Sequence, residues 1–256
     1  MDVTAIRAGG KAALARAITA MEVSPRGPQT IALLDEALAN RQGAVIGLTG
    51  PPGVGKSTLT GRLIETLRES GDSIGVIAVD PTSKRSGGAL LGDRARMSGA
   101  SVDSGVFIRS MAAREHLGGL SAITYPAIVL MRAVFDWVIV ETVGVGQSEM
   151  EVIEYADVLA VCVQPGAGDG LQFMKAGLME TPDVFVITKS DMGDIVRRTE
   201  AELRSALLIG NENSARPTIA AVSAQSGRGV PELYEILKQK ATGWSVGERL
   251  ERDRAQ

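Results

Sequence analysis

The sequence predicts an α/β fold: a mostly parallel sheet flanked by helices on both faces, preceded by a helical extension. Two observations predict it. From Val45 onward, short apolar runs alternate with amphipathic stretches, the pattern of parallel strands joined by helical crossovers. Between the first such run and the first such helix, Gly50-Pro51-Pro52-Gly53-Val54-Gly55-Lys56-Ser57 spells G-x-x-x-x-G-K-[ST]. Strand, glycine loop and helix N-terminus together are the context of a P-loop NTPase.

The elements can be taken in order. Ala5, Ile6, Ala13, Leu14, Ala17, Ile18 and Met21 form one apolar helical stripe, which ends at Ser24-Pro25-Arg26-Gly27-Pro28. A second helix runs from Gln29 to Asn40. Residues 1–42 therefore read as a helical extension, 43–242 as the nucleotide domain and 243–256 as a short charged tail. The expected strands are Val45–Thr49, Ile74–Val79, Val106–Arg109, Trp137–Glu141, Val158–Val163, Val184–Thr188 and Thr218–Val222. After the loop, Leu59, Leu63, Ile64 and Leu67 have helical spacing within Ser57–Ser70. In such a sheet, ligands sit beyond the C-terminal strand ends, where every chemical motif of this chain falls.

Composition narrows the functions. The 256 residues, 45% hydrophobic and 22% charged, suit a globular chain with a sizeable core. A net charge of −3 argues against a general nucleic-acid or membrane-surface binder. No apolar run approaches the ~18 residues of a spanning helix. The N-terminus lacks a signal-peptide pattern, and one cysteine cannot form an internal disulfide. Both point to a reducing, cytoplasmic setting.

The P-loop makes the ligand a nucleoside triphosphate. Glycines let backbone N–H groups close on a phosphate, and the helix N-terminus adds positive potential. Gly50, Pro52, Gly53, Val54, Gly55, Lys56, Ser57 and Thr58 are the expected cradle. Lys56 should reach the β- and γ-phosphates, and the Ser57 hydroxyl should ligate Mg²⁺.

Which base is bound follows from Thr188-Lys189-Ser190-Asp191, which resembles the N-K-x-D guanine motif of GTPases. Asp191 can accept from guanine N1–H and its exocyclic amine. Adenine offers neither donor, so ATP would leave the carboxylate unpaired. The Lys189 stem can lie over the base. Thr188 stands where Asn is usual, which predicts weaker coupling to the P-loop. Ser223-Ala224 resembles the S-A element that meets guanine O6.

Val138 to Gly144 is an apolar strand ending in Glu141, with Gly144 three residues on, and resembles the D-x-x-G switch. Glu141 should hold Mg²⁺ through water, and the Gly144 N–H should sense the γ-phosphate. Asp80 and Asp93 are the further acids expected around the cation. Val145 occupies the usual place of a water-orienting Gln, so intrinsic hydrolysis is expected to be slow, with Gln147 as an alternative.

Longer strings point to one family. Val79-Asp80-Pro81-Thr82-Ser83 with Gly87–Met97, Phe107–Met111 with Leu117–Leu120, Glu141–Glu149 (E-T-V-G-V-G-Q-S-E) and Gln164–Asp169 with Leu171-Gln172 resemble the methylmalonyl-CoA mutase-associated GTPases of MeaB or ArgK type. The resemblance covers roughly residues 5–240. It implies a Mg²⁺-dependent GTPase, cycling GTP and GDP, that chaperones an adenosylcobalamin-dependent acyl-CoA mutase. Lys56, Asp80, Asp93 and Glu141 would be catalytic, the last three holding the metal with Ser57. The loop from Gln164 to Lys175 would be a further switch. The family extends past the position of Gln256 into a dimerisation arm, which leaves homodimer and monomer as alternatives.

Rival readings fit less well. A metallochaperone GTPase needs Cys/His clusters, and the chain has one Cys and one His. A kinase is disfavoured by the guanine motif, and a non-hydrolysing GTP-binding module by the set of metal acids. Direct cobalamin binding is not expected, because Arg114 stands where D-x-H-x-x-G requires Asp before His116. Cys162 reads as core, His116 as a packing or surface residue, and Lys84, Arg85, Arg94 and Arg96 as a solvated or partner-facing basic run.

Overall fold

The central strands are buried along almost their whole length, and the reason is that both faces of the sheet are covered. The computed structural model describes residues 2–80, 103–112, 123–142, 155–166, 182–209 and 217–242, with only the backbone of Asp80, Ala112 and Ile209. Seven strands form one sheet: β1 (Ala44–Thr49), β2 (Ile74–Asp80), β3 (Val106–Ala112), β4 (Trp137–Glu141), β5 (Val158–Val163), β6 (Val184–Ile187) and β7 (Thr218–Ala221). Their order is β3-β2-β4-β1-β5-β6-β7, and every pairing is parallel. The seven expected strands are these seven, with ends that differ by up to three residues.

Six α-helices lie among the described residues: α1 (Val3–Val23), α2 (Pro28–Ala39), α3 (Lys56–Glu69), α4 (Thr124–Val134), α5 (Asp194–Ile209) and α6 (Val230–Thr242). The period of two along the strands sorts the core into two layers. Val45, Val138, Val140, Leu159 and Val161 face α1, α2, α4 and α5. Ile46, Leu48, Ile139, Ala160 and Cys162 face α3 and α6. On α3, Leu59, Leu63, Ile64 and Leu67 are all buried, as their spacing predicts.

The N-terminal helices share this core. Val3, Ile6, Leu14, Ile18 and Met21 of α1 pack in the layer beneath α4. Ala5 does not join them and is exposed. The helix is broken at Gly10 (φ 59°, ψ −153°), which resets the stripe so that Val3 and Ile6 take the inner face before the break. Polar ties fix the packing: Arg7 Nε donates to the Ala133 carbonyl at 2.8 Å, and Arg109 grips both carboxylate oxygens of Glu22 at 2.7 and 2.8 Å.

One buried ion pair anchors the start of β1. Arg132 on α4 meets Asp157, which precedes β5, at 3.0 Å. Asp157 also accepts from the Val45 N–H at 2.7 Å, and Arg132 Nε donates to the Gly43 carbonyl at 3.2 Å. The strand that feeds the P-loop is thus held in place at its origin. No described helix is long and apolar enough to cross a membrane.

Candidate nucleotide site

β1 lies between β4 and β5, so its C-terminal end opens where the chain departs to the two halves of the sheet. The P-loop leaves β1 there. Gly50 has φ 136°, and a Cβ on it would stand 2.4 Å from the Cys162 carbonyl. Only glycine lets the loop pass so close to β5. Gly55 (φ 107°) then turns the chain into α3, whose first residue is Lys56. The Lys56 ammonium is buried and donates to the Gly50 and Pro51 carbonyls at 2.6 and 3.0 Å. Beneath it, burial pushes the Cys162 thiol up to about 12, so this cysteine is a core residue and not a nucleophile.

The acid expected to hold a metal sits between β4 and α3. Glu141, buried at the C-terminal end of β4, accepts from Ser57 Oγ at 2.6 Å and from Thr60 Oγ1 at 2.9 Å. Ser57 and Thr60 are one helical turn apart, so one carboxylate spans both hydroxyls. This all-oxygen set, with a carboxylate held against the P-loop serine, fits a hard cation such as Mg²⁺. Asp80 ends β2, two strands from β1, but its side chain lies outside the described atoms. Asp93, Gly144, Val145, Gln147 and His116 fall outside the described residues, as do the basic run, most of the Gln164–Lys175 loop and the 243–256 tail.

The base motif borders a cavity of about 270 Å³ lined by Val54, Gly55, Thr58, Thr188, Lys189 and Asp191, together with Met192, Ser223, Ala224 and Gln225. The structure thus brings the P-loop, T-K-S-D and S-A elements to one pocket. Thr188 Oγ1 donates to the Val54 carbonyl at 2.7 Å and lies 3.2 Å from the Val163 carbonyl. Coupling to the P-loop, expected to weaken without Asn, is therefore made by the threonine hydroxyl. Lys189 is a non-glycine residue in the left-handed region (φ 53°, ψ 43°). That turn sends its ammonium back to the Gly53 carbonyl (3.2 Å) and Gln164 Oε1 (2.8 Å). The Ser223 hydroxyl and then its own backbone N–H hold the Asp191 carboxyl below the usual carboxylate range.

Three contributors were not evident from sequence: Thr60, Gln164 and Arg62. Arg62 on α3 donates to the Ala224 and Gln225 carbonyls at 2.7 and 3.1 Å and so fixes the S-A segment. Thr60 had a usable signal, because it lies three residues beyond Ser57 and on the same helical face. Gln164 was singled out only as the start of the Gln164–Lys175 loop, and its contact to Lys189, like that of Arg62 to the S-A segment, is long-range and without a local pattern.

A sequence model of the methylmalonyl-CoA mutase-associated GTPase MeaB family matches residues 14–256. The chain belongs to the MeaB family. Relatives include a Pyrococcus horikoshii protein bearing a GTPase name, 49% identical over 76% of this chain and 63% of its own length. The mouse methylmalonic aciduria type A homolog, named as mitochondrial, is 40% identical over 92% of this chain and 61% of its own. The Escherichia coli GTPase ArgK is 36% identical over 100% of this chain and 80% of its own. The chain thus spans less than two thirds of the first two relatives. A solved LAO/AO transport system kinase superposes with a TM-score of 0.78 at 30% identity, covering 99% of this chain and 78% of that one. HypB from Helicobacter pylori, at a TM-score of 0.60, 16% identity and coverage of 83% and 93%, shares the fold. Among the described residues, the P-loop, Glu141 and the T-K-S-D segment are the sequence motifs that this family resemblance singles out.

Proposed function

We propose that this MeaB-family chain is a Mg²⁺-dependent GTPase that hydrolyses GTP to GDP and phosphate. We further propose that it chaperones an adenosylcobalamin-dependent acyl-CoA mutase, such as methylmalonyl-CoA mutase, gating cofactor loading and protecting the mutase. The observation that carries the nucleotide reading is the 270 Å³ pocket, in which Asp191 and Ser223 meet P-loop residues. A carboxylate kept ionised there recognises the two donors of guanine.

The residues divide the work. P-loop backbone N–H groups and the start of α3 hold the phosphates, and Lys56 leaves its loop carbonyls to neutralise the β- and γ-oxygens. Ser57 and Glu141, with Asp80 and Asp93, would hold Mg²⁺, which neutralises charge developing on the phosphates. Gly144 would sense the γ-phosphate. With Val145 in place of a water-orienting side chain, turnover should be slow without a partner.

The mutase reading rests on the family's name and on the motif strings, and a cytoplasmic setting belongs to the same proposal. The test is steady-state hydrolysis of GTP and of ATP with Mg²⁺, with and without the acyl-CoA mutase of the same source. Slow GTP turnover that rises several-fold with the mutase, with ATP inert, supports both halves. Turnover indifferent to the mutase removes the chaperone role, and equal use of ATP removes the guanine reading.

A further inference from the structure

A lysine that lies over a base needs its flexible stem held, because an unheld ammonium samples many rotamers. Lys189 has three N–H donors, and two of them are engaged within the chain. One reaches the Gly53 carbonyl at 3.2 Å, and the shorter contact, 2.8 Å, goes to Oε1 of Gln164. Gln164 is the first residue after β5, on the strand beside β6, and is half-buried.

The chain leaving β5 is anchored again two residues later. The Gly166 N–H donates to Thr199 Oγ1 on α5 at 3.2 Å. Gly166 has φ 74°, and the Ile195 side chain stands 2.4 Å from where its Cβ would lie. Gln164 is therefore fixed between the base-motif lysine on one side and α5 on the other. Its amide oxygen is a neutral acceptor that orients the ammonium without neutralising it.

We propose that Gln164 is a positioning residue for Lys189, holding the ammonium at the guanine pocket and thereby setting how long the nucleotide stays bound. The inference rests on reading Lys189 and Asp191 as the guanine site. It also gives the segment after β5 a direct mechanical link to nucleotide release, since any shift of Gln164 frees one donor of Lys189.

The test is the rate of release of tritiated GDP from the full chain. Gln164→Met keeps side-chain length and removes the acceptor, and it should speed release roughly 5- to 10-fold. Gln164→Glu keeps an oxygen at the same reach and should release GDP no faster than the parent. Because Gln164 acts through Lys189, Gln164→Met should add nothing in a Lys189→Met background. A parental release rate for Gln164→Met, faster release from Gln164→Glu, or full acceleration on top of Lys189→Met would each overturn the proposal. Asp191→Ala separates this from the underlying site. If Asp191→Ala and Lys189→Met both leave GDP release and the preference for GTP over ITP unchanged, the guanine-site reading fails. If those two variants lose binding and Gln164→Met does not, only the role of Gln164 fails.

Discussion

The Thr188 hydroxyl donates to the carbonyl of Val54 at 2.7 Å, and this bond joins the base motif to the phosphate loop. Both groups are buried, so the bond is made away from competing water. Threonine does here, with one donor, what the amide of asparagine would do with two.

Thr188→Val should therefore weaken GDP binding while leaving the fold intact. The side chain keeps its shape and loses the hydroxyl, and the bond is worth about 1 kcal/mol, or roughly 5-fold in Kd. Thr188→Ser, which retains the donor, should bind close to the parent. Titration calorimetry with GDP reads both variants. Equal affinity for Thr188→Val and the parent would mean that the contact is incidental.

Glu141 offers a second prediction through its reach. One carboxylate serves Ser57 at 2.6 Å and Thr60 at 2.9 Å. Aspartate, one methylene shorter, could not meet both hydroxyls from the end of β4. Thr60→Val leaves Glu141 in place but removes one of its two fixed partners. Metal sites lose roughly 10- to 100-fold in metal affinity or activity when an orienting partner is removed. The Mg²⁺ concentration giving half-maximal GTP hydrolysis should rise accordingly in Thr60→Val and in Glu141→Asp, with Thr60→Ser near the parent. An unshifted Mg²⁺ profile would reduce Thr60 to packing.

Much of this was legible in the sequence because it is local. The P-loop is a contiguous string whose glycines meet a steric demand, seen at Gly50 against the Cys162 carbonyl. The strands were legible because burial on both faces leaves uninterrupted apolar runs such as Val158–Val163. The break at Gly10 was not, since a glycine inside a periodic stretch is often tolerated, and the turned-out Ala5 followed from missing it. Gln164 and Arg62 act on partners 25 and 162 or more residues away. The sheet order, which places β5 beside β6, and the packing of α3 against the segment after β7 bring them together.

The depressed Asp191 carboxyl gives a pH prediction with a definite sign. Its value is lowered in the folded chain, so the charged acceptor is present through neutral pH and is lost only as pH falls through that lowered value. The leading cause is the Ser223 hydroxyl. Ser223→Ala should move the carboxyl up toward the ordinary carboxylate range. Binding of GDP should then fall off at higher pH in the variant than in the parent. Asp191 is exposed, so the effect should appear in ligand affinity and hardly in stability. Superimposable acid limbs in a GDP binding profile would remove Ser223 as the cause.

The last prediction concerns the root of β1. Arg132 and Asp157 form a buried pair at 3.0 Å, and Asp157 also accepts from the Val45 N–H. Arg132→Met removes that cation and leaves the carboxylate in a site of low polarity. Breaking a buried pair from one side costs about 3–5 kcal/mol, well beyond an ordinary surface substitution. Urea unfolding at neutral pH should show a lower midpoint at unchanged slope. Replacing the partner as well, in Arg132→Met with Asp157→Asn, removes the buried carboxylate charge and keeps an oxygen for Val45, so part of the loss should return. The pair sits at the origin of β1, whereas the proposed nucleotide site lies at its other end, so folded Arg132→Met should bind GDP as tightly as the parent. A loss of affinity without a loss of stability would place strain from this pair in the P-loop itself.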